Sequence, residues 1–225
     1  MNTPENCSYS IRLINKLKEV DTQNKLDFTL VNKAIYWARK YHGDQKRKSG
    51  ESYYSHPLEV AYMISDYNLK TDVIVASILH DIVEDTDVTV EMIERTFGQR
   101  IAEMVDRLTR DRPDGTKLTI EEIITNAYKK DDKEVLLIKL IDRLHNIQTI
   151  HFIKPEKQKE IAKETLKNIA MISVELDNIK LEECIYMSSY KIIASKQDFD
   201  FYYKKYHPFL SFNDYCLPFP TFENI

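Results

Sequence analysis

The sequence predicts an all-α fold, a helical bundle with a C-terminal helical extension, and three observations indicate it. The 225 residues include only four glycines and seven prolines, too few for a fold built from many tight turns. Apolar residues recur every three or four positions in most segments, as on one face of a helix. Hydrophobic residues make up 43% of the chain, which suffices for one substantial core or at most two small ones.

In the first part of the chain, helices are predicted over about residues 11–20, 28–41, 55–65 and 71–84. Residues Thr22–Lys25 break the periodicity after the first helix, and the glycine-flanked loop Gly43–Gly50 ends the second. Pro57 suits the first turn of the third helix, which Asp66–Asn68 ends. The fourth segment stays apolar almost to its end, so it is predicted as one continuous helix.

In the rest of the chain, helices are predicted over about residues 90–97, 101–108, 120–128, 135–147, 155–176 and 177–193. Gly98 separates the first two of these, and Asp111–Gly115 is the clearest loop. Thr119 and Glu122 have the spacing of a capping box, which places a helix start between them. From Phe199 onward aromatic residues, proline and asparagine become prominent. This composition predicts an irregular tail that packs on the helices or binds a partner.

Composition and charge exclude several classes of protein. The net charge of −4 and the pI near 5.9 give no overall attraction for nucleic acid. The polar N-terminus lacks the apolar region of a secretory signal, and no run of about eighteen apolar residues predicts a membrane span. Cys7, Cys184 and Cys216 are far apart, as expected for free thiols in a reducing compartment. We therefore expect a cytoplasmic protein, and the overall charge leaves open a local basic pocket for a phosphorylated small molecule.

The most informative segment, Leu79–Thr86, places four ionisable side chains in an apolar surrounding. On a continuous helix His80 lies beside Glu84, and Asp81 lies beside both Glu84 and Asp85. Burying an imidazole and three carboxylates together is unfavourable unless a cation compensates them. The alternative is an acidic helix end exposed to water. Residues elsewhere in the chain decide between the two.

Two other segments supply further metal-ligand types. His56 lies at a helix start, and Asp142 interrupts an otherwise apolar helix, so its carboxylate should face the interior or the floor of a cleft. Alternatively Asp142 pairs with Lys139 or Arg143 at the edge of the core. Together with His80–Asp81, these residues offer two imidazoles and two carboxylates. Such a donor set suits a divalent ion such as Mn, Fe, Co or Zn.

Three motifs resemble the HD-domain phosphohydrolases, and more narrowly the hydrolase domain of RelA/SpoT-type alarmone enzymes and the small alarmone hydrolases. These motifs are His42–Gly50 leading to Tyr54–Pro57, then His80–Thr86, and then Lys139–Asn146. The resemblance covers about residues 28–175 and implies an all-α HD-domain bundle. It divides the chain into a helical lead-in (1–27), the hydrolase domain (28–175), and a helical extension with an aromatic tail (176–225).

The resemblance also implies roles for individual residues. The matching metal ligands are His56, His80, Asp81 and Asp142, and the family metal is usually Mn²⁺. The acid pair that positions or activates the attacking water matches Glu84 and Asp85. The substrate-binding positions match Arg47, Lys48 and Ser49 in the basic loop, together with Asn146 and Thr149. His42 and His145 are expected to support the site and not to bind the metal.

The implied reaction removes pyrophosphate from the 3′ position of ppGpp or pppGpp and returns GDP or GTP. Nothing after residue 175 resembles the nucleotide-binding signatures of the family's synthetase domain, so synthesis is not expected. Gln148 stands where the family more often has an arginine, which bears on substrate preference. Two alternatives remain: a phosphohydrolase for a dNTP, a nucleoside monophosphate or NADPH, and a binding module without turnover. The complete set of ligands and acidic residues argues against the module.

Overall fold

The computed structural model describes residues 7–112, 115–176 and 178–206, and within these ranges the chain is helical with no β-strand. The predicted all-α fold is therefore confirmed. The helices are α1 Ser8–Val20, α2 Phe28–His42, α3 Ser55–Ile64, α4 Thr71–Leu79, α5 Ile82–Asp85, α6 Val90–Phe97, α7 Gln99–Leu108, α8 Ile120–Lys129, α9 Lys133–Gln148, α10 Pro155–Leu176, α11 Ile179–Ile193 and α12 Lys196–Tyr206. A 3₁₀ turn, Ile150–Phe152, follows α9. None of the described helices has both the length and the apolar character that crossing a membrane requires.

The chain divides into two compact units, Met1–His145 and Asn146–Ile225. In the first unit α4 lies against α2, α3 and α7, and every residue from Val73 to Leu79 is buried. Burial on all sides explains why this helix reads as a nearly continuous apolar run. In the second unit Ile147, Ile150 and Ala162 form a small apolar cluster.

The N-terminal helix α1 is anchored to α3 by both apolar and ionic contacts. Leu13 and Leu17 are fully buried on one face of α1. Arg12 Nη1 donates to both carboxylate oxygens of Glu59 on α3, at 2.7 and 2.9 Å. The Arg12 guanidinium also lies 4.1 Å from the ring centre of Tyr62. The predicted helical lead-in thus packs directly on the helix that carries His56.

The predicted continuous helix over residues 71–84 is wrong at one point. Helix α4 ends at Leu79, and the short helix α5 begins at Ile82. The His80 ring donates from Nδ1 to the carbonyl of Ser77 at 2.8 Å, an acceptor that an uninterrupted helix would use for the amide of Asp81. The carbonyl of Asp81 then accepts the amides of Glu84 and Asp85, each at 3.1 Å. A turn therefore separates the ligand pair from the acid pair.

The prediction of an irregular segment from Phe199 onward is also wrong for the residues that can be compared. These residues form α12, whose start is capped by Ser195 through a 3.1 Å bond from the amide of Asp198. Phe199 and Tyr203 are four residues apart, so they share a helical face, where both are buried and their rings stack. Residues 207–225, with the three tail prolines, lie outside the described residues, as do 113–114 of the predicted loop.

The capping predictions are confirmed in detail. The Thr119 side chain accepts the amide of Glu122 at 3.1 Å, and the Glu122 carboxylate accepts the amide of Thr119 at 2.7 Å. Gly98 has a φ of +93° and lies between α6 and α7. Such a positive φ strains any residue with a side chain, so glycine suits this junction.

Candidate functional site

Three helices of the first unit bring potential metal ligands together. His56 lies in the first turn of α3, His80 directly follows α4, and Asp142 lies in α9. All three side chains are buried, and one ligand atom from each lies within 4.8 Å of the others. Residues separated by up to 86 positions in sequence thus converge on one point.

Asp81 completes this cluster by contacting both imidazoles. Its two carboxylate oxygens lie 3.5 Å from His56 Nε2 and 3.1 Å from His80 Nε2. Asp142 Oδ1 lies 3.1 and 3.8 Å from the same two nitrogens. Each Nε2 atom therefore faces two carboxylates, and the four predicted ligands lie together.

The hydrogen bonds behind the two imidazoles orient them for coordination. His80 donates from Nδ1 to Ser77, which leaves its buried Nε2 without a hydrogen bond among the described residues. His56 Nδ1 lies 2.8 Å from His145 Nδ1, so a proton held between these atoms leaves His56 Nε2 available. A ligating histidine typically bonds through its second nitrogen in this way. The donor set fits a divalent cation, and the supporting role of His145 stays a prediction that this contact favours.

The electrostatics of the cluster also favour a cation. Burial opposes charge on Asp81, yet the adjacent His80 imidazole lowers the Asp81 pKa to about 2. Burial likewise disfavours a charged His80, but Asp81 and Asp142 raise its pKa well above the ordinary value. The two carboxylates thus favour positive charge beside His80 Nε2, and a divalent cation at this point would supply it.

Asp142 is held from its other side by a buried lysine. Lys139 Nζ lies 3.2 Å from Asp142 Oδ2, one helical turn earlier in α9. This is one of the two structural pairings considered as alternatives to ligation. Because the lysine contacts Oδ2 while Oδ1 faces the imidazoles, the two roles are compatible in one side chain.

The acidic residues Glu84 and Asp85 are each held by a residue that the sequence interpretation did not identify. The Glu84 carboxylate accepts the backbone amide of Arg110, from the loop after α7. Burial raises the pKa of Glu84, and this amide opposes the rise. Burial and the charge of Asp81 raise the pKa of Tyr53, as does the hydrogen bond from its hydroxyl to Asp85. Tyr53 therefore remains a protonated donor.

A group of three side chains, here called the Gln45 clamp, joins the basic loop to this acidic segment. Gln45 Nε2 donates to the carbonyl of Asp85 at 2.7 Å. Its Oε1 therefore faces His42 Nδ1, at 2.9 Å. The buried His42 ring stacks on Tyr53 with centroids 4.8 Å apart. The contacts of His42 in the clamp of His42, Gln45 and Tyr53 favour the support role predicted for it.

The basic loop forms a tight turn with its predicted substrate-binding residues near the tip. Arg47 and Glu51 are joined by a 2.9 Å backbone bond, and the Ser49 hydroxyl donates to the Glu51 carboxylate at 2.9 Å. Lys48 is exposed. Burial lowers the pKa of His145, and the charge of Arg47 contributes to that shift. Arg47 thus exerts its charge on the ligand cluster.

The two remaining predicted substrate contacts lie in the second unit. Asn146 is in the last turn of α9, and Thr149 precedes the 3₁₀ turn. Both side chains are half-buried. Their roles in nucleotide binding remain predictions.

Comparisons with known proteins place this site within a recognised family. The model of the HD domain family matches residues 34–171, which include all four proposed ligands. The guanosine-3′,5′-bis(diphosphate) 3′-pyrophosphohydrolase of Aquifex aeolicus is 35% identical over 178 residues, 72% of this chain and 25% of that protein. The probable GTP pyrophosphokinase of Mycobacterium leprae is 38% identical over 68% of this chain and 20% of its own length. The chain thus spans a quarter or less of these relatives.

A solved structure shares the fold. It is described as "A metazoan ortholog of SpoT hydrolyzes ppGpp and plays a role in starvation responses". The TM-score is 0.62 at 23% identity, and the match covers 72% of this chain and 94% of the other. At this identity the likeness establishes the common helical architecture.

Proposed function

The chain belongs to the HD domain family, and on that premise we propose that it is a metal-dependent (p)ppGpp 3′-pyrophosphohydrolase. One observation carries the proposal: a cluster of four ligands, His56, His80, Asp81 and Asp142, lies beside an acid pair within the matched residues. The name of the relative from Aquifex aeolicus, a 3′-pyrophosphohydrolase, supports the substrate class.

The proposed cofactor is Mn²⁺, held by the two imidazoles and the two carboxylates of the cluster. When bound, such an ion makes water acidic enough to supply hydroxide near neutral pH. Lys139 would hold the second oxygen of Asp142 and keep that carboxylate ionised. Ser77 and His145 would hold the imidazole rings in the ligating tautomer.

In the proposed reaction, Glu84 accepts a proton from the attacking water and Asp85 orients that water. The water oxygen forms a bond to the 3′-linked phosphorus, and the bond between this phosphorus and the 3′ oxygen breaks. The proton is returned to the leaving 3′ oxygen. The products are GDP and pyrophosphate from ppGpp, and GTP and pyrophosphate from pppGpp. General-base catalysis of this kind typically contributes about 10²- to 10⁴-fold to the rate.

Binding of the nucleotide is assigned to Arg47, Lys48 and Ser49, with Asn146 and Thr149. A guanidinium can stack on a purine ring and a lysine can balance phosphate charge, so Arg47 and Lys48 suit the base and the phosphates respectively. Gln148 is neutral at a position that is more often arginine in the family. Because this difference bears on substrate preference, other nucleotides are tested as well.

The proposal is tested by incubating purified protein with Mn²⁺ and ppGpp, beside a panel of dNTPs, nucleoside monophosphates and NADPH, with chromatography of the products. GDP and pyrophosphate from ppGpp alone are expected. Turnover of another panel member would agree with the proposed metal site but would contradict ppGpp as the substrate. Binding of ppGpp with no turnover at all would favour a binding module. A parallel incubation with ATP and GTP tests the expectation that no ppGpp is synthesised.

A further inference from the structure

Arg110 lies beside the proposed general base and differs from the arginines around it. Its backbone amide donates to the Glu84 carboxylate, and its carbonyl accepts the amide of Leu118 at 2.9 Å. These two bonds fix residue 110 at the start of the loop that follows α7. The backbone of an arginine is therefore anchored directly beside the proposed general base.

Among the residues that the structure describes, no hydrogen-bond or ion-pair partner is found for the guanidinium of Arg110. Arg107 pairs with Asp132 and Glu103, and Arg112 pairs with Asp106 at 3.0 Å. Among the described residues Arg110 forms no ion pair, and its buried Nε has no hydrogen-bond acceptor. A buried donor without an acceptor is unfavourable. The position thus lacks an anion that the flanking arginines already have.

The charge of the site indicates which anion would pair with the Arg110 guanidinium. Four carboxylates, Asp81, Glu84, Asp85 and Asp142, lie around the proposed reaction point, and Lys139 pairs with Asp142. Even with a divalent cation bound, this group has a negative charge balance when ionised. A polyphosphate entering it is repelled unless a further cation contacts its oxygens.

We propose that Arg110 binds a phosphate group of the substrate. The N–H groups of its guanidinium would donate hydrogen bonds to the phosphate oxygens. This inference rests on the proposed function for the identity of the substrate. An arginine presents a planar set of donors that matches phosphate geometry, which a lysine matches less well. Arg110 is thereby a third cation for the substrate, supplied by a different loop from Arg47 and Lys48.

The test compares Arg110→Gln with Arg112→Gln, a matched control two residues away whose side chain is already paired with Asp106. With Mn²⁺ and ppGpp, kcat/KM should fall about 10- to 100-fold for Arg110→Gln, the range for loss of a charge-assisted hydrogen bond. Arg112→Gln should stay within about twofold of wild type, and Arg110→Lys should recover part of the loss because it keeps the charge. Thermal melting verifies that all variants fold.

A second readout is independent of turnover. Inorganic pyrophosphate, the proposed product, is titrated calorimetrically into each Mn²⁺-loaded variant, and Arg110→Gln should bind it more weakly by a similar factor. If the wild type does not hydrolyse ppGpp, the proposed function fails, and this titration alone still decides the role of Arg110. Equal pyrophosphate affinities for Arg110→Gln and Arg112→Gln, or no measurable binding of pyrophosphate by the wild type, would overturn the assignment.

Discussion

Replacing Glu84 by glutamine should separate catalysis from folding in this site. The Glu84 carboxylate accepts the amide of Arg110, and the side-chain carbonyl of glutamine can accept the same bond. Glutamine cannot take a proton from water. We expect kcat for ppGpp to fall about 10²- to 10⁴-fold, equivalent to about 3–5 kcal/mol of barrier, with stability and bound Mn²⁺ unchanged.

Glu84→Ala should differ from Glu84→Gln in a way that the structure predicts. Alanine leaves the amide of Arg110 without its acceptor in a partly buried position. The free energy of unfolding should then drop by about 1–3 kcal/mol. Denaturant titration of the two variants measures this difference, while initial rates of pyrophosphate release measure the common catalytic defect.

The pH dependence supplies a third check on Glu84. Burial raises its pKa above the ordinary carboxyl value, and a general base must be ionised to accept a proton. The wild-type rate should therefore rise with pH through this raised pKa, and the glutamine variant should lack that rise. A Glu84→Gln rate within threefold of wild type, or loss of Mn²⁺ by elemental analysis, would refute the assigned role.

Three further perturbations test the parts around the acid pair. His80→Ala should weaken Mn²⁺ binding more than about 100-fold, because a ligand matters more than the residues that orient it; calorimetric titration with Mn²⁺ measures the affinity. Gln45→Ala should lower kcat about 10- to 100-fold with little change in bound metal, because it frees the carbonyl of Asp85. Arg12→Ala should reduce the free energy of unfolding by about 2–3 kcal/mol, because it leaves the buried Glu59 carboxylate without its cation. The loss should be smaller than for a fully buried pair, because Arg12 is partly exposed to water.

Each of these has an exposed residue of the chain as its control. His151→Ala, Asp44→Ala and Lys18→Ala should leave metal binding, kcat and stability respectively within error of wild type. Unchanged Mn²⁺ affinity in His80→Ala would remove it from the ligand set. A kcat in Gln45→Ala equal to that of Asp44→Ala would show that the clamp does not position Asp85.

Helical periodicity was sufficient to locate most of the fold because it reports burial directly. Val31, Ala34, Ile35 and Ala38 recur at helical spacing in α2, and all four are buried. The same periodicity does not indicate the break after α4. Apolar residues continue through Ile82 and Val83, whereas the break comes from a side-chain hydrogen bond of His80 that hydropathy does not record.

The composition of the site was also predictable only in part. His56, His80, Asp81 and Asp142 are chemically distinctive, so a carboxylate or imidazole in an apolar segment indicates them. The contact from Arg110 to Glu84 joins residues 26 positions apart through a backbone amide, a group that nearly every residue has. No side-chain pattern indicates such a contact, so its discovery needed the three-dimensional structure.

Asp81 links the cluster of predicted metal ligands to the acid pair Glu84 and Asp85. Its carboxylate contacts both ligand imidazoles, and its carbonyl accepts the amides of Glu84 and Asp85. The spacing between the cation position and the acid pair is thus set by covalent geometry and one turn of backbone. An insertion or deletion between Asp81 and Glu84 would rotate the acids away from the cation even if the surrounding bundle were intact. The spacing between the cation position and the acid pair therefore depends on this local segment, whereas the other two ligands, His56 and Asp142, depend on how α3 and α9 pack against it.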